Sequence, residues 1–154
     1  MKENHEQQAL LEKRYGHPSI PDSILWNAQV ERLLQHRSVR QYLPQALPKG
    51  AIETMVAAAQ SASNSSNLNH WSVVAITDPV LKAEIATVSR RGSTFGKGNP
   101  YIEQAPVFLL WIADMSRNQQ IATREGKNND VQHYLDAFLM SSIDTAIAAQ
   151  NAAI

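Results

Sequence analysis

The feature that most constrains this chain is a long helical pattern over residues 131–154, at the end of the sequence. Side chains that suit a packed face recur there at helical spacing, and they are Leu135, Phe138, Leu139, Ser142, Ile143, Ala146, Ala149 and Gln150. The last part of this segment is rich in alanine, and small side chains let another helix approach closely. We therefore predict a long central helix that is packed on all sides in its last part.

Two apolar strands and one edge strand are predicted before this helix. Residues 71–77 and 107–113 read as strands, and the second is apolar throughout, which is typical of a strand buried on both faces. Residues 38–42 form a short alternating stretch that indicates an edge strand. Three strands with helices between them make only a small sheet.

Helices and loops account for most of the remaining residues. Asp22 is a predicted N-cap, because its side-chain oxygen can satisfy a free backbone N–H, and Pro48 suits the first turn of a helix. A polar loop is expected at residues 63–69, and residues 92–99, which hold three of the six glycines, are expected to be mobile. Helices are predicted at residues 6–14, 23–35, 48–62, 79–90, 115–125 and 131–154.

Composition excludes several classes of protein. Fourteen basic and fourteen acidic residues give a formal net charge of zero, whereas nucleic-acid binders need a basic surplus. The chain has no cysteine, so it has no disulfide, thiolate metal site or cysteine nucleophile. The polar N-terminus lacks the apolar core of a secretory signal, and the longest apolar run is too short to span a bilayer. We predict a soluble cytoplasmic protein that binds neither nucleic acid nor membrane.

A first candidate site lies where the helix ending at residue 35 meets the predicted edge strand. Because side chains alternate along a strand, Ser38 and Arg40 are expected on one face and Arg37 on the other. Two guanidinium groups and a hydroxyl at one bend suit a phosphate, since arginine offers planar paired donors. The alternative is that both arginines are ordinary solvated surface residues, as most charged residues are.

The second candidate is the polar loop at residues 63–69, where six of the seven side chains carry a hydroxyl or an amide. Such groups can hydrogen-bond the polar edge of a ring or a polyhydroxyl chain. The alternative is a plain connection between a helix and a strand, which is also polar. The five histidines are scattered without metal-ligand spacing, and no carboxylate pair can be assigned to acid–base chemistry. No metal site and no catalytic side chain are predicted.

Four segments, in order, resemble the FMN-dependent nitroreductase family. Residues 35–40 resemble its Arg-Ser-x-Arg motif, and residues 51–71 resemble the helix and polar loop that precede its first core strand. Residues 104–114 resemble its second core strand, and residues 144–151 resemble the signature of its central helix. His36 and the serine-rich loop are similar to the NADPH-preferring, oxygen-insensitive branch.

The resemblance implies an α+β fold, with a mixed sheet flanked by helices, and a homodimer with two FMN sites at its interface. It divides the chain into an N-terminal helical segment, residues 1–34, and an FMN-binding domain, residues 35–154. Arg37 and Arg40 would bind the FMN phosphate and the pyrimidine side of the flavin, with Arg40 stabilising negative charge near N1. The other residues carried over as cofactor contacts are His36, Ser38, Ser63, Asn64, Ser65, Asn67, Asn69 and Asn99.

The activity implied is that of an oxidoreductase. FMN would accept hydride from NAD(P)H and pass it by ping-pong kinetics to a nitroaromatic, a quinone or a flavin. Asn69-His70 replaces the family's usual Gln-Pro, and the family continues well past Ile154, so we expect a fold truncated at its C-terminus. Two alternatives stay open, namely an inactive truncated fragment and a non-catalytic module for flavin binding or dimerisation.

Overall fold

The computed structural model describes residues 2–16, 24–91 and 99–154. Contacts divide the chain into two compact units, the first made of residues 1–39 with residue 154, and the second of residues 40–153. The domain boundary between residues 34 and 35 stays a prediction. The described elements are α1 Lys2–Tyr15, α2 Ala28–Gln35, α3 Ala51–Gln60, β1 Trp71–Ile76, α4 Pro79–Arg91, α5 Pro100–Gln104, β2 Phe108–Ala113, α6 Ser116–Arg124 and α7 Leu135–Ala153.

The first unit is a pair of helices, α1 and α2, that bury Leu11 and Leu34. The helix predicted over residues 6–14 is confirmed and is longer at both ends. The predicted start of α2 at residue 23 is wrong, because residues 24–27 are not helical. The helix begins after Asn27, whose side-chain oxygen accepts a hydrogen bond from the amide of Val30 at 2.9 Å. Asp22, the predicted cap, lies outside the described residues.

The segment between α2 and α3 differs from the prediction in two ways. Residues 38–42 are not paired as a strand with any part of the chain that the structure describes, so the predicted edge strand is wrong. The third helix begins at Ala51 rather than at Pro48. Gly50 has a left-handed backbone, with φ of 86°, and a residue in that conformation cannot continue a right-handed helix backwards.

A two-stranded antiparallel sheet lies in the second unit. Trp71 faces Ala113 and Ile76 faces Phe108 in its register, and the strands predicted at residues 71–77 and 107–113 are confirmed to within one residue at each end. The expectation that β2 is buried on both faces is wrong, since its side chains are half-buried or exposed. With only one described neighbouring strand, the sheet is too small to enclose β2.

The core of the second unit forms where α3 and the sheet meet α7. Ala59 of α3 and Ala148 of α7 are fully buried and pack with Trp71 of β1. The buried positions of α7 are Ala137, Ser141, Asp144 and Ala148, which lie on one helical face. Small side chains at this contact allow α3 and α7 to approach closely.

The opposite face of α7 is apolar and exposed. It carries the residues whose helical spacing predicted a packed face, such as Phe138 and Ile143. Leu135 is 68% exposed, Phe138 54% and Ile143 57% in this chain. The prediction that the last part of the helix is packed on all sides is therefore wrong, because Ala146 is also exposed. The helix starts at Leu135 rather than at residue 131, because a 3-10 turn occupies Asp130–His133.

The helices α4 and α6 agree with the sequence, and α4 is tied to α5 by a buried lysine. Asp78 caps α4 by accepting a hydrogen bond from the amide of Leu81 at 2.8 Å. Lys82 is buried, and its ammonium group donates to the carbonyl oxygens of Glu103 at 3.2 Å and Ala105 at 2.5 Å, at the end of α5. None of the described helices has both the length and the apolar character needed to cross a bilayer.

The close contact between α3 and α7 can be tested by adding bulk on α3. Ala59→Leu inserts three carbons at a position with no exposed surface, and we expect it to lower the free energy of unfolding by about 1–3 kcal/mol. Ala57→Leu is the matched control, because Ala57 is exposed on the same helix. Urea unfolding measures both variants, and equal effects would contradict the close approach.

Candidate functional site

The polar loop between α3 and β1 has an uncommon backbone. Ser66, Asn67 and Asn69 have positive φ angles of 53°, 55° and 49°. Asparagine tolerates the left-handed region, whereas a residue such as serine is disfavoured there by roughly 1–2 kcal/mol. A 3-10 turn covers Ser65–Asn67 at the start of this stretch. The loop therefore needs contacts from elsewhere to stay in this conformation.

The first of these contacts comes from α7. Asp144 is only 3% exposed, and its carboxylate accepts hydrogen bonds from the amide of Ser65 at 3.0 and 3.1 Å. The hydroxyl of Ser65 donates to the same carboxylate at 3.1 Å. Hydrogen bonds to an ionised group are stronger than neutral ones. The N-terminal end of the loop is thus held against the central helix.

The second set of contacts comes from the first turn of α6. The guanidinium of Arg117 donates to the carbonyl oxygen of Asn69, and the amide of the Asn118 side chain donates to the carbonyl oxygen of Leu68 at 2.8 Å. The Asn69 side chain donates to the carbonyl oxygen of Asn67 at 3.1 Å. The C-terminal end of the loop is therefore held by its backbone carbonyl groups, and the side chains of Asn64, Asn67 and Asn69 also take part in hydrogen bonds within the loop.

Asp114 stabilises the start of α6, the helix that carries Arg117 and Asn118. One carboxylate oxygen accepts from the amide and hydroxyl of Ser116 at 3.0 and 2.6 Å, and the other accepts from the hydroxyl of Ser72 at 2.6 Å. The hydrogen bonds from the Ser116 and Ser72 side chains favour the ionised form and lower the pKa of Asp114 from 3.8 to about 2. A carboxylate therefore links β1 to the start of α6.

An open groove of about 760 Å³ runs beside the loop, within the second unit. Amides supply both donors and acceptors, Arg117 supplies a positive charge, and Trp71 supplies an aromatic surface. This combination suits a planar ring with polar edges or an anionic group. Within the described residues, no three metal-ligating side chains come together. The groove is lined by Val56, Gln60, Asn64, Asn67, Leu68, Asn69, Trp71, Ser72, Val73, Arg117 and Asn118.

The predicted loop residues divide into two groups. Asn64, Asn67 and Asn69 line the groove, as expected of side chains that could meet a ligand. Ser65 instead turns its hydroxyl toward Asp144, and Ser63 is exposed and does not line the groove. Their roles as FMN contacts stay predictions.

The other predicted residues lie on the surface. His36, Arg37 and Ser38 are exposed in the first unit, and Arg40 is exposed at the start of the second. Arg37 donates to the carbonyl oxygens of Leu34 and, at 2.7 Å, of His36, so it covers the end of α2. Whether these residues bind a phosphate stays a prediction.

Asn99 is the one described member of the glycine-rich segment, since residues 92–98 lie outside the described residues. It is the N-cap of α5, and its side-chain oxygen accepts from the amide of Tyr101 at 3.2 Å. Its proposed contact with the flavin ring stays a prediction.

Sequence reasoning missed the residues that hold the loop. Arg117 and Asn118 belong to a polar helix without any motif, so no signal separates them from solvated residues. Asp144 carries a detectable signal, because it is a charged residue on the face of α7 that also presents Ala137 and Ala148. A carboxylate at such a position needs a hydrogen-bond donor from another element.

Comparisons with known proteins place this geometry in a family. The model of the nitroreductase family matches residues 33–153. An FMN reductase (NADPH) of Bacillus subtilis is 35% identical over 130 residues, which cover 83% of this chain and 49% of that protein. The oxygen-insensitive NADPH nitroreductase of Salmonella typhimurium is 32% identical over 124 residues, which cover 80% of this chain and 46% of that one.

A solved structure agrees with these sequence matches. The NfrA1 nitroreductase from B. subtilis has a TM-score of 0.71 and 35% identity, over 80% of this chain and 47% of that one. The chain therefore belongs to the nitroreductase family, and it spans about half the length of the curated relatives it matches. The predicted family and the α+β nitroreductase-like fold, present in part, are confirmed.

The hydrogen bonds of Asp114 predict a particular dependence of stability on pH. Because the folded pKa of about 2 lies below the ordinary value of 3.8, the ionised group stabilises the fold fully above roughly pH 4. This contribution disappears as the pH falls through 2. Asp114→Asn should therefore be less stable than wild type at pH 6, with a smaller difference at pH 3, in urea unfolding. Glu84→Gln, at an exposed position in the interior of α4, should match wild type at both pH values.

The left-handed backbone of Ser66 can be tested by removing its side chain. Ser66→Gly relieves roughly 1–2 kcal/mol of steric cost, while the freedom of glycine in the unfolded chain opposes this by about 0.5–1 kcal/mol. We expect a net stabilisation of up to about 1.5 kcal/mol in urea unfolding. Ser63→Gly, at a position without positive φ, should be destabilising instead. A destabilised Ser66→Gly variant would contradict the backbone conformation.

Proposed function

We propose that this chain forms part of an NAD(P)H-dependent FMN oxidoreductase, and that its own residues hold part of the FMN site. Family membership supports the class of reaction, and the names of the relatives, FMN reductase (NADPH) and oxygen-insensitive NADPH nitroreductase, support the cofactor and the electron donor. We propose small-molecule acceptors, namely nitroaromatics, quinones or flavins.

The amide-lined groove is the observation that carries this proposal. Asn64, Asn67 and Asn69 present groups that both donate and accept hydrogen bonds, which the nitrogen and carbonyl edge of a flavin requires. Trp71 and Leu68 add apolar surface for the ring system. The groove also contains the loop that resembles the family's cofactor-binding loop. The residues that line the groove therefore fit a flavin better than a metal ion, because no three metal-ligating side chains come together among the described residues.

The second part of the proposal concerns the arginine segment. Exposed guanidinium groups at Arg37 and Arg40 are available to an anion, and paired donors match phosphate oxygens. We assign Arg37, His36 and Ser38 to the phosphate and ribityl groups, and Arg40 to the pyrimidine side of the flavin. Positive charge there stabilises negative charge on the ring.

The chain's own residues bind and orient, and the cofactor supplies the reaction. When bound, FMN carries hydride from NAD(P)H to the acceptor. This division of labour agrees with the absence of a nucleophile motif or an assignable carboxylate pair in the sequence. The buried carboxylate of Asp144 is used to hold the loop, and the carboxylate of Asp114 is used to cap α6.

We also propose self-association. The exposed face of α7 carries Leu135, Phe138, Leu139, Ile143 and Ile147, and an apolar stripe of this length is typical of a protein interface. A homodimer would cover the stripe with its own copy, as closed symmetric oligomers do. The proposed location is the cytoplasm, where NAD(P)H is available.

Cofactor binding is the direct test of this proposal. The purified chain is incubated with FMN and desalted, its visible spectrum is recorded, and its mass is measured by light scattering. A retained flavin band, with NADPH oxidation that depends on a nitroaromatic or quinone, supports the oxidoreductase. Retained flavin without NADPH oxidation would favour a non-catalytic flavin-binding module, and a colourless chain would contradict the proposed site.

Arg40 provides a point test within the arginine segment. Arg40→Ala removes a charge-assisted hydrogen bond, and we expect FMN affinity to fall about tenfold or more, measured by flavin fluorescence titration. Arg124→Ala is the control, because Arg124 is an exposed arginine on α6 that pairs with Glu125 at 3.1 Å. Equal affinity in the Arg40→Ala variant and wild type would remove Arg40 from the site.

A further inference from the structure

We propose that Asp144 is a positioning residue, which sets FMN affinity by holding the polar loop in its binding conformation without touching the cofactor. The inference rests on the proposed function. It adds a residue to which neither the family resemblance nor the groove assigns a role.

Burial separates Asp144 from any ligand in the groove. Only 3% of the residue is exposed, and it is not among the side chains that line the groove. Its carboxylate is occupied by the amide and hydroxyl of Ser65, in three contacts of 3.0–3.1 Å. A buried charge is costly unless it is hydrogen-bonded, so the contact to Ser65 restrains both partners. The function of Asp144 must therefore act through the loop.

The position of Ser65 explains why this contact matters for the groove. Ser65 immediately precedes Ser66 and Asn67, both with left-handed backbones, and Asn67 lines the groove. If the amide of Ser65 is released, one of the contacts that keep these residues out of the more common right-handed or extended region is lost. The Asn67 amide would then leave the position that it takes in the groove.

The far end of the loop is held independently, so the strained residues lie between two fixed points. Arg117 and Asn118 bind the carbonyl oxygens of Asn69 and Leu68. Arg117 and Asn118 belong to α6, whereas Asp144 belongs to α7. A substitution can therefore remove the contacts at one end of the loop and leave those at the other end in place. Holding a loop in its bound conformation increases affinity because less ordering is required when the ligand binds.

The experiment compares Asp144→Asn and Ser65→Ala with the double variant. Asparagine keeps the size of the side chain, but it removes the charge and replaces one of the two acceptor oxygens by an N–H₂ donor. Asp144→Asn should weaken FMN binding about tenfold in a fluorescence titration, the expected loss for a charge-assisted hydrogen bond. Ser65→Ala removes only the hydroxyl donor and leaves the backbone amide of Ser65 on the carboxylate, so it should weaken binding by less. The losses of the two single variants should not add in the double variant, since both changes affect the same contact.

Two controls on α7 separate positioning from general destabilisation. Ala146→Gly weakens the same helix at an exposed position but leaves the Ser65 contact and the Ala59–Ala148 packing in place, and Asp136→Asn removes an exposed carboxylate. Both controls should keep wild-type FMN affinity, while Ala146→Gly lowers the urea midpoint. Hydrogen exchange of the peptide spanning residues 63–70 should become faster in Asp144→Asn and remain at the wild-type rate in both controls under native conditions.

The outcomes distinguish this inference from the function on which it rests. If wild type binds FMN and Asp144→Asn binds it equally well, the positioning role is overturned and the oxidoreductase proposal stands. If Ala146→Gly loses as much affinity as Asp144→Asn, the effect is one of stability and the positioning role is again overturned. If wild type does not bind FMN, both proposals are overturned for this chain.

Discussion

Close packing of α3 on α7 is the constraint on which the rest of the second unit depends. Ala59 and Ala148 meet with no exposed surface, and Trp71 covers the contact from the sheet. Since α3 ends where the polar loop begins and β1 starts where the loop finishes, the position of α7 determines both ends of the loop. The groove exists because these elements leave space between the loop and the start of α6.

The loop combines an unfavourable local conformation with favourable long-range contacts. Left-handed backbones at Ser66 and Asn67 are disfavoured locally, yet the buried carboxylate of Asp144 holds the preceding residue from the middle of α7. Strain of this kind persists when the surrounding structure determines it, and it is common at binding sites. In the same arrangement the asparagine side chains of the loop line the groove.

How far the sequence predicts the site can be judged from particular residues. The strand at β1, the helix capped by Asp78 and the amide-rich loop follow from local patterns, and the family follows from four ordered motifs. The anchors of the loop do not follow, because Ser65 and Asp144 are 79 residues apart and Arg117 and Asn69 are 48 apart. A pattern along the chain does not report a hydrogen bond across such a distance.

The residue patterns alone predict the class of fold, both strands of the described sheet, most of the helices and the nitroreductase family. Tertiary packing decides which face of α7 is buried. The helical periodicity of the sequence identifies the apolar stripe that includes Phe138 and Ile143, and this stripe is exposed. The buried face of α7 is the opposite one, which carries small residues such as Ala148. Small side chains are needed there because α3 approaches α7 closely. Tertiary contacts likewise decide that Ser65 meets a buried carboxylate, since Asp144 lies 79 residues away in the chain and no local pattern reports the contact.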